Sequence, residues 1–227
     1  MSAESGAGAR SRPDDGVRFV DRATVCAPVT LVGSRVVLEP LRRDHHDGLV
    51  AAARDGELWR LWYTSVPTPE EMAGEVDRRL ALQEAGSMLP FTTRLVDPAT
   101  GDPGRVIGMT TYMNIDVATP RVEIGSTWNA ASVHGTGTNV ESKLLLLAHA
   151  FEALGCPAVE FRTHWLNHQS REAIARLGAK QDGVLRSHTR SRDGLLRDTV
   201  VFSILEHEWP MVRQGLEHRL ARRAPGG

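Results

Sequence analysis

Apolar positions along the chain switch repeatedly between two periods, and the switches mark out its elements. Alternation in twos and β-branched runs mark strands, whereas spacing in threes and fours marks helices. VRFV (17–20) and VTLV (29–32) fit short edge strands, and Val36–Glu39 is a β-branched run ended by Pro40. Arg43–Ala53 and Glu57–Tyr63 read as helices. Thr68 followed by Pro69, Glu70 and Glu71 predicts a helix start, with the helix running to Ala85 and stopped by Gly86. Leu89–Val96, Arg105–Ile115 and Arg121–Asn129 read as strands, the first two flanking the turn-rich loop DPATGDPG. HGTGTN (134–139) then opens an apolar helix, Val140–Leu154, closed by Gly155. Ala158–His164 is a strand, and Ser170 caps a helix to Leu177 that Gly178 ends. Lys180–His188 and Asp198–Leu205 are strands joined by SRDG (191–194), and Glu206–Leu220 is a closing helix. This order predicts an α+β (mixed α/β) fold built on a mostly antiparallel sheet.

The ends differ from the middle. Residues 1–16 carry little to bury and predict a disordered tail, as do residues 221–227, leaving 17–220 as one domain. With 27 Lys and Arg against 28 Asp and Glu, the net charge of -1 argues against a surface that grips nucleic acid. The longest solid apolar run, Leu144–Ala148, is far short of a membrane span. Cys26 and Cys156 are the two cysteines, with no C-x-x-C pair to hold zinc. Asp44-His45-His46-Asp47 are consecutive and cannot face one point on a helix, so they read as solvated surface rather than a metal site. No apolar leader follows Met1. The expectation is a cytoplasmic protein without metal, membrane or nucleic-acid partners. Exposed sheet edges and a basic last helix fit a homo-oligomer.

The most informative stretch is Arg121–Leu154, where a strand leads into a Gly-x-Gly turn and then a helix. The first backbone N–H groups of a helix lack intrahelical partners and carry the positive end of its dipole, which suits a phosphate or pyrophosphate. A P-loop is excluded, because no Gly-Lys pair occurs anywhere in the chain. A dinucleotide turn fits poorly: Val140 holds the third glycine position, and the next strand runs into THWLN instead of ending in an acid. A coenzyme A loop is the third option.

Residues 31–213 resemble the GCN5-related N-acetyltransferase (GNAT) superfamily, and within it the ribosomal-protein acetyltransferase-like branch. The similarity lies in TLVGSRVVLEPLRRDH (30–45), VEIGSTW (122–128), HGTGTNVESKLLL (134–146), RTHWLNHQSREAIARLGAKQDGVLR (162–186) and DTVVFSILEHEWP (198–210), in that order. The resemblance implies the acyl-CoA N-acyltransferase fold, with a splayed sheet and helices on both faces. It also implies transfer of an acyl group, acetyl by default, from coenzyme A to a primary amine in a ternary complex. Two departures stand out. Ser132 replaces the usual Gln or Arg at the start of the loop, and the helix Ser170–Leu177 lacks the tyrosine that often protonates the departing thiolate. The chain's two tyrosines are Tyr63 and Tyr112.

Site roles follow from the resemblance. Gly135, Gly137 and the N–H groups of His134, Thr136, Thr138 and Asn139 would cradle the pyrophosphate. Gly125, Ser126, Thr127 and Trp128 would offer backbone to the pantetheine arm and, through a bulge, an N–H to the thioester carbonyl. Asn167 would hold a pantetheine amide, and Ser170, near the sulfur, would pass a proton to the thiolate. Alternation puts Glu123 on one face with Gly125 and Thr127, and a carboxylate in an apolar strand suits a general base as well as a salt bridge. His164 fits acid–base work or a plain polar strand end. Trp59, Trp62 and Tyr63 fit core packing or a substrate wall. Arg121, Arg186, Arg190 and Arg192 raise the option of an acidic acyl group such as succinyl. A non-catalytic acyl-CoA sensor on the same fold is the alternative that the missing tyrosine leaves open, and a nucleotide-binding protein would rest on the Gly-x-Gly alone.

Overall fold

The computed structural model describes residues 22–222. The expected tail at 1–16, the strand at 17–20 and residues 223–227 of the second tail lie outside the described residues. Eight strands form one sheet in the order β1-β2-β3-β4-β5-β6-β8-β7. They are β1 (Leu31–Val32), β2 (Val36–Pro40), β3 (Met88–Val96), β4 (Pro103–Asp116), β5 (Arg121–Asn129), β6 (Ala158–His164), β7 (Lys180–Arg190) and β8 (Leu196–Leu205). All neighbours are antiparallel except β5 and β6. That one parallel pair needs a crossover, which the glycine turn and its helix supply.

The helices are α1 (Arg22–Val25), α2 (His46–Arg54), α3 (Met72–Glu84), α4 (Thr138–Ala148), α5 (His168–Ala175) and α6 (Trp209–Ala221). Two apolar clusters lie on the two faces of the sheet, as the splayed-sheet expectation requires. α4, α5 and α6 cover one face around Tyr112, Leu146, Leu147, Phe161 and Ile204. α2 and α3 cover the other around Leu49, Met72, Ile107, Met109 and Trp128.

Several helix limits differ from the sequence pattern for identifiable reasons. Thr68 and Glu71 form a reciprocal capping box, with Glu71 N–H donating to Thr68 Oγ1 at 3.2 Å and Thr68 N–H to Glu71 Oε2 at 3.0 Å. The box closes a turn, and α3 begins just after it at Met72. Asn167, not Ser170, caps α5, since its side chain accepts the Ser170 N–H at 3.0 Å. The expected helix at 57–63 shrinks to a 3₁₀ turn, Leu58–Arg60. α4 ends in a π-turn, His149–Ala153, where the Tyr112 hydroxyl donates to the Leu146 carbonyl at 2.5 Å. His45, read as surface, is buried and bonds Thr92 Oγ1 at 2.7 Å.

Candidate active site

β5 and β6 pair only at Arg121–Glu123 with Ala158–Glu160, then part. From Ile124 onward the β6-facing edge of β5 has no strand partner among the described residues, so a cleft opens between the strands. Two irregularities on β4 and β5 shape it. Met109 pairs with Trp128 and Thr111 with Gly125, so Ser126 and Thr127 together oppose Thr110 in a bulge. Ser126 sits in the left-handed region at φ 48°. Farther along, Asn114 and Ile115 together oppose Val122, and Asn114 has the same φ of 48°.

The bulge corrects the alternation argument. Glu123 and Gly125 do share a face: Glu123 Oε1 lies 2.9 Å from where a Cβ on Gly125 would stand. Thr127 does not join them, because the extra residue turns its side chain over to α4. There Thr127 Oγ1 accepts a hydrogen bond from Lys143 Nζ at 2.7 Å and lies 2.7 Å from Thr110 Oγ1. Trp128 goes to the opposite face and joins the core under α2 and α3.

Two buried basic side chains hold this bulge from opposite sides. Arg79 of α3 donates to the Ser126 carbonyl at 3.3 Å and to Thr111 Oγ1 at 2.6 Å, with Glu75 beside it at 2.6 Å. Among the described residues Lys143 of α4 bonds only the two threonine hydroxyls, and burial pushes its amine down to about 7. Sequence reading missed both residues, because Lys and Arg are almost never fully buried.

Glu123 is 5% exposed. Its Oε2 accepts from Asn114 Nδ2 at 2.6 Å and lies 3.4 Å from Arg162 Nε, an ion-pair distance without hydrogen-bond alignment. Burial raises its carboxyl above the ordinary glutamate value; the Asn114 bond and Arg162 oppose that shift, while neighbouring Glu160 adds to it. Oε1 carries no hydrogen bond among the described residues and faces Gly125. Asn114 reaches Glu123 only because of its bulge, a feature no spacing rule reveals.

The glycine turn spends several of its N–H groups internally. His134 N–H closes a 3₁₀ turn on the Ala131 carbonyl, and its ring reaches back to the Asn129 carbonyl at 2.9 Å. Thr136 N–H points at the Val133 carbonyl at 3.4 Å. Thr138 is buried, with its hydroxyl donating to the Val133 carbonyl. The N–H groups that find no backbone carbonyl are those of Gly137, Thr138, Asn139 and Val140 at the start of α4. Gly135 and Gly137 have φ of 79° and 95°, the region that favours glycine. Behind the turn, Glu141 accepts from Ser34 N–H, Ser34 Oγ, Arg35 N–H and Val36 N–H, clamping the β1–β2 turn to α4.

At the far end of β6 stand His164, Asn167 and Ser170. Asn167 Oδ1 is spent on the α5 cap, and Ser170 Oγ has no hydrogen-bond partner among the described residues. His164 Nδ1 accepts the Leu166 N–H at 2.9 Å, so the neutral ring carries its proton on Nε2. Burial, then the Arg197 charge, holds His164 below its ordinary value. No hydrogen bond or ion pair joins Ser170 or His164 to Glu123. Tyr112 is fully buried with a hydroxyl pKa pushed upward, so it is no proton donor for the cleft. Trp62 is 66% exposed and meets the His164 ring edge-on at 5.4 Å, making it wall and not core. No group of His, Cys, Asp or Glu among the described residues could hold a metal, and no described helix is long and apolar enough to cross a membrane.

The comparisons agree with this architecture. No curated protein matches the chain. A GCN5-related N-acetyltransferase from Brucella melitensis is 30% identical over 87% of this chain and 86% of its own, with a TM-score of 0.72. Mycobacterium smegmatis RimJ in complex with CoA-disulfide shares the fold at 23% identity, over 85% of this chain and 93% of its own (TM-score 0.68). RimL, a ribosomal L7/L12 α-N-protein acetyltransferase, shares it at 15% identity, over 78% and 94% (TM-score 0.65). The acetyltransferase (GNAT) domain model matches residues 35–180, and the chain therefore belongs to the GNAT acetyltransferase family.

Proposed function

We propose that the chain transfers an acetyl group from acetyl-CoA to a primary amine by direct attack in a ternary complex. The observation that carries this reading is the parting of β5 from β6 immediately after Glu123, beside the glycine-opened start of α4. The free N–H groups of Gly137 to Val140 suit the pyrophosphate, and the unpaired edge of Gly125–Trp128 suits the pantetheine amides. The bulge at Ser126–Thr127 would turn a backbone N–H toward the thioester carbonyl, where it would stabilise the oxyanion.

Glu123 acts as general base. Its raised pKa and open Oε1 suit uptake of a proton from the ammonium form of the acceptor, directly or through one water. The freed amine attacks the carbonyl carbon, and collapse of the tetrahedral intermediate expels the thiolate. Ser170, with its hydroxyl unengaged among the described residues, is the proton donor we assign to that thiolate; Asn167, with Oδ1 accepting the Ser170 N–H, offers its amide N–H groups to the donor arm. No covalent enzyme intermediate is involved. A homo-oligomer remains part of the proposal, with β7 as an open sheet edge, and sedimentation velocity tests it.

Glu123→Gln tests the mechanism. A general base contributes roughly 10²- to 10⁴-fold, so kcat should fall by that order while acetyl-CoA affinity holds. The acid limb of kcat/KM in the wild type should lie above the usual carboxylate range and vanish in the variant. An acyl-CoA sensor would have no turnover to lose. Donor binding itself is read by thermal denaturation: acetyl-CoA at about 100 times Kd adds roughly 2.7 kcal/mol, and NAD should add nothing. The absence of any shift with CoA species would remove the donor site.

A further inference from the structure

A cavity of ≈ 180 Å³ opens between the Trp62–Ser65 segment and the tip of the β7–β8 hairpin. Its inner wall is His164, the last residue of β6. It therefore stands at the end of β6 from which Asn167 and Ser170 also start, where β5 has already parted.

The chemistry of the lining is one-sided. Among the described residues, three arginines line it, Arg190, Arg192 and Arg197, and no Asp or Glu does. Arg190 donates to the Gly194 carbonyl and Arg197 to Thr189 Oγ1, both neutral acceptors at 2.8 Å. Arg192 alone has an acid nearby, Glu71 at 3.5 Å, and that pair is half exposed. The remaining polar group of the inner wall, His164, presents only Nε2–H, since Nδ1 is taken by the Leu166 N–H. Arg121 and Arg186, also candidates from sequence, are elsewhere: Arg121 pairs with Glu160 and Arg186 with Asp198.

Planar guanidinium forks match a carboxylate, which accepts two parallel hydrogen bonds from each. Three of them around one small cavity, whose other polar lining is the hydroxyls of Tyr63, Thr64, Ser65 and Ser191 and the His164 ring, are unfavourable to a cationic guest. We propose that this cavity binds a carboxylate on one of the two substrates, held by Arg190 and Arg197 with Arg192 at the rim. The proposal rests on the transferase reading for its meaning, because it names the class of substrate that the reacting centre serves. The carboxylate could stand at the far end of a dicarboxylic acyl chain on the donor, or on the acceptor amine.

Two binding arms separate these sources, each comparing wild type with the double variant Arg190→Gln/Arg197→Gln by calorimetry. In the donor arm, acetyl-CoA and succinyl-CoA are titrated. A donor carboxylate makes succinyl-CoA bind about tenfold tighter than acetyl-CoA, an advantage of about 1.4 kcal/mol. In the acceptor arm, the C-terminally amidated dipeptides Ala-Asp-NH2 and Ala-Asn-NH2, which differ in one carboxylate, are titrated with desulfo-CoA present, and an acceptor carboxylate gives the acidic dipeptide the same advantage. In either case the advantage disappears in the double variant, while acetyl-CoA affinity, the check on folding, is unchanged. The proposal is overturned if neither acidic ligand binds tighter than its neutral partner, or if the advantage survives the substitutions. Failure of every CoA species to bind would instead sink the transferase reading.

Discussion

Lys143 is the residue whose setting departs furthest from what its type leads one to expect. It lies one turn behind the glycine loop, buried, without an acidic partner, and with its amine pushed down to about 7. In the unfolded chain a lysine titrates near 10.4, so between about pH 7 and pH 10 the unfolded state holds a proton that the native state has released. Stability relative to a neutral replacement therefore rises with pH across that window, by up to about 1.4 kcal/mol per unit. Denaturant titrations of wild type and Lys143→Met at pH 7, 8.5 and 10 read it. The difference should move in favour of wild type as pH rises, and a constant difference would contradict the buried neutral amine. Cys156 and Tyr112, whose pKa values burial raises, shift stability in the opposite sense but cancel in this comparison. At this scale the sequence was only partly legible. Glu123 could be singled out because a carboxylate in an apolar strand is conspicuous. Lys143, Arg79 and Asn114 could not, since each takes its place through contacts with residues far away in the chain.

At the scale of elements, the bulge on β5 organises the cleft, and its hallmark is a serine in the left-handed region. Neither glycine nor asparagine stands at Ser126 to announce the turn, so strict alternation sent Thr127 to the wrong face. Any side chain with a Cβ is strained there by about 1–2 kcal/mol, the serine included, and a β-branched one is strained further. Ser126→Val should therefore lose stability and, on the proposed donor path along this edge, raise KM for acetyl-CoA several-fold. Ser126→Gly relieves the strain at a similar cost in unfolded-chain entropy, so it should stay within about 0.5 kcal/mol of wild type. Equal effects of the two replacements on KM would mean that the bulge does not position the donor. The regular strands were legible because their β-branched runs and turn residues agree with their final surroundings. β5 and β6 were found with the bounds that the pattern assigned. Helix starts were less so: the Thr68 box precedes its helix, and Ser170 gave way as cap to Asn167.

For the whole molecule, the order of elements was enough to expect a mostly antiparallel sheet, and the structure adds one parallel pair, β5 with β6, linked through the glycine turn and α4. What the order could not convey is how little backbone joins the two parts of that sheet. β1 to β5 and β6 to β8 meet through three residue pairs, and side chains add the Arg121–Glu160 and Arg162–Glu123 ion pairs and packing under α4. The seam between the two parts is thus where their mutual rigidity is least supported by ladder hydrogen bonds. A donor lying along Gly125–Trp128 would act as a ninth strand and bridge them. In hydrogen–deuterium exchange, amides of residues 124–129 and of the second half of β6 should be protected when acetyl-CoA is added, ahead of any change at β1–β3. Unaltered exchange there would mean that the gap is filled by something other than the donor arm. It also follows that the acceptor should find its partner surface formed only after the donor has bound, which steady-state kinetics would register as an ordered sequence of addition.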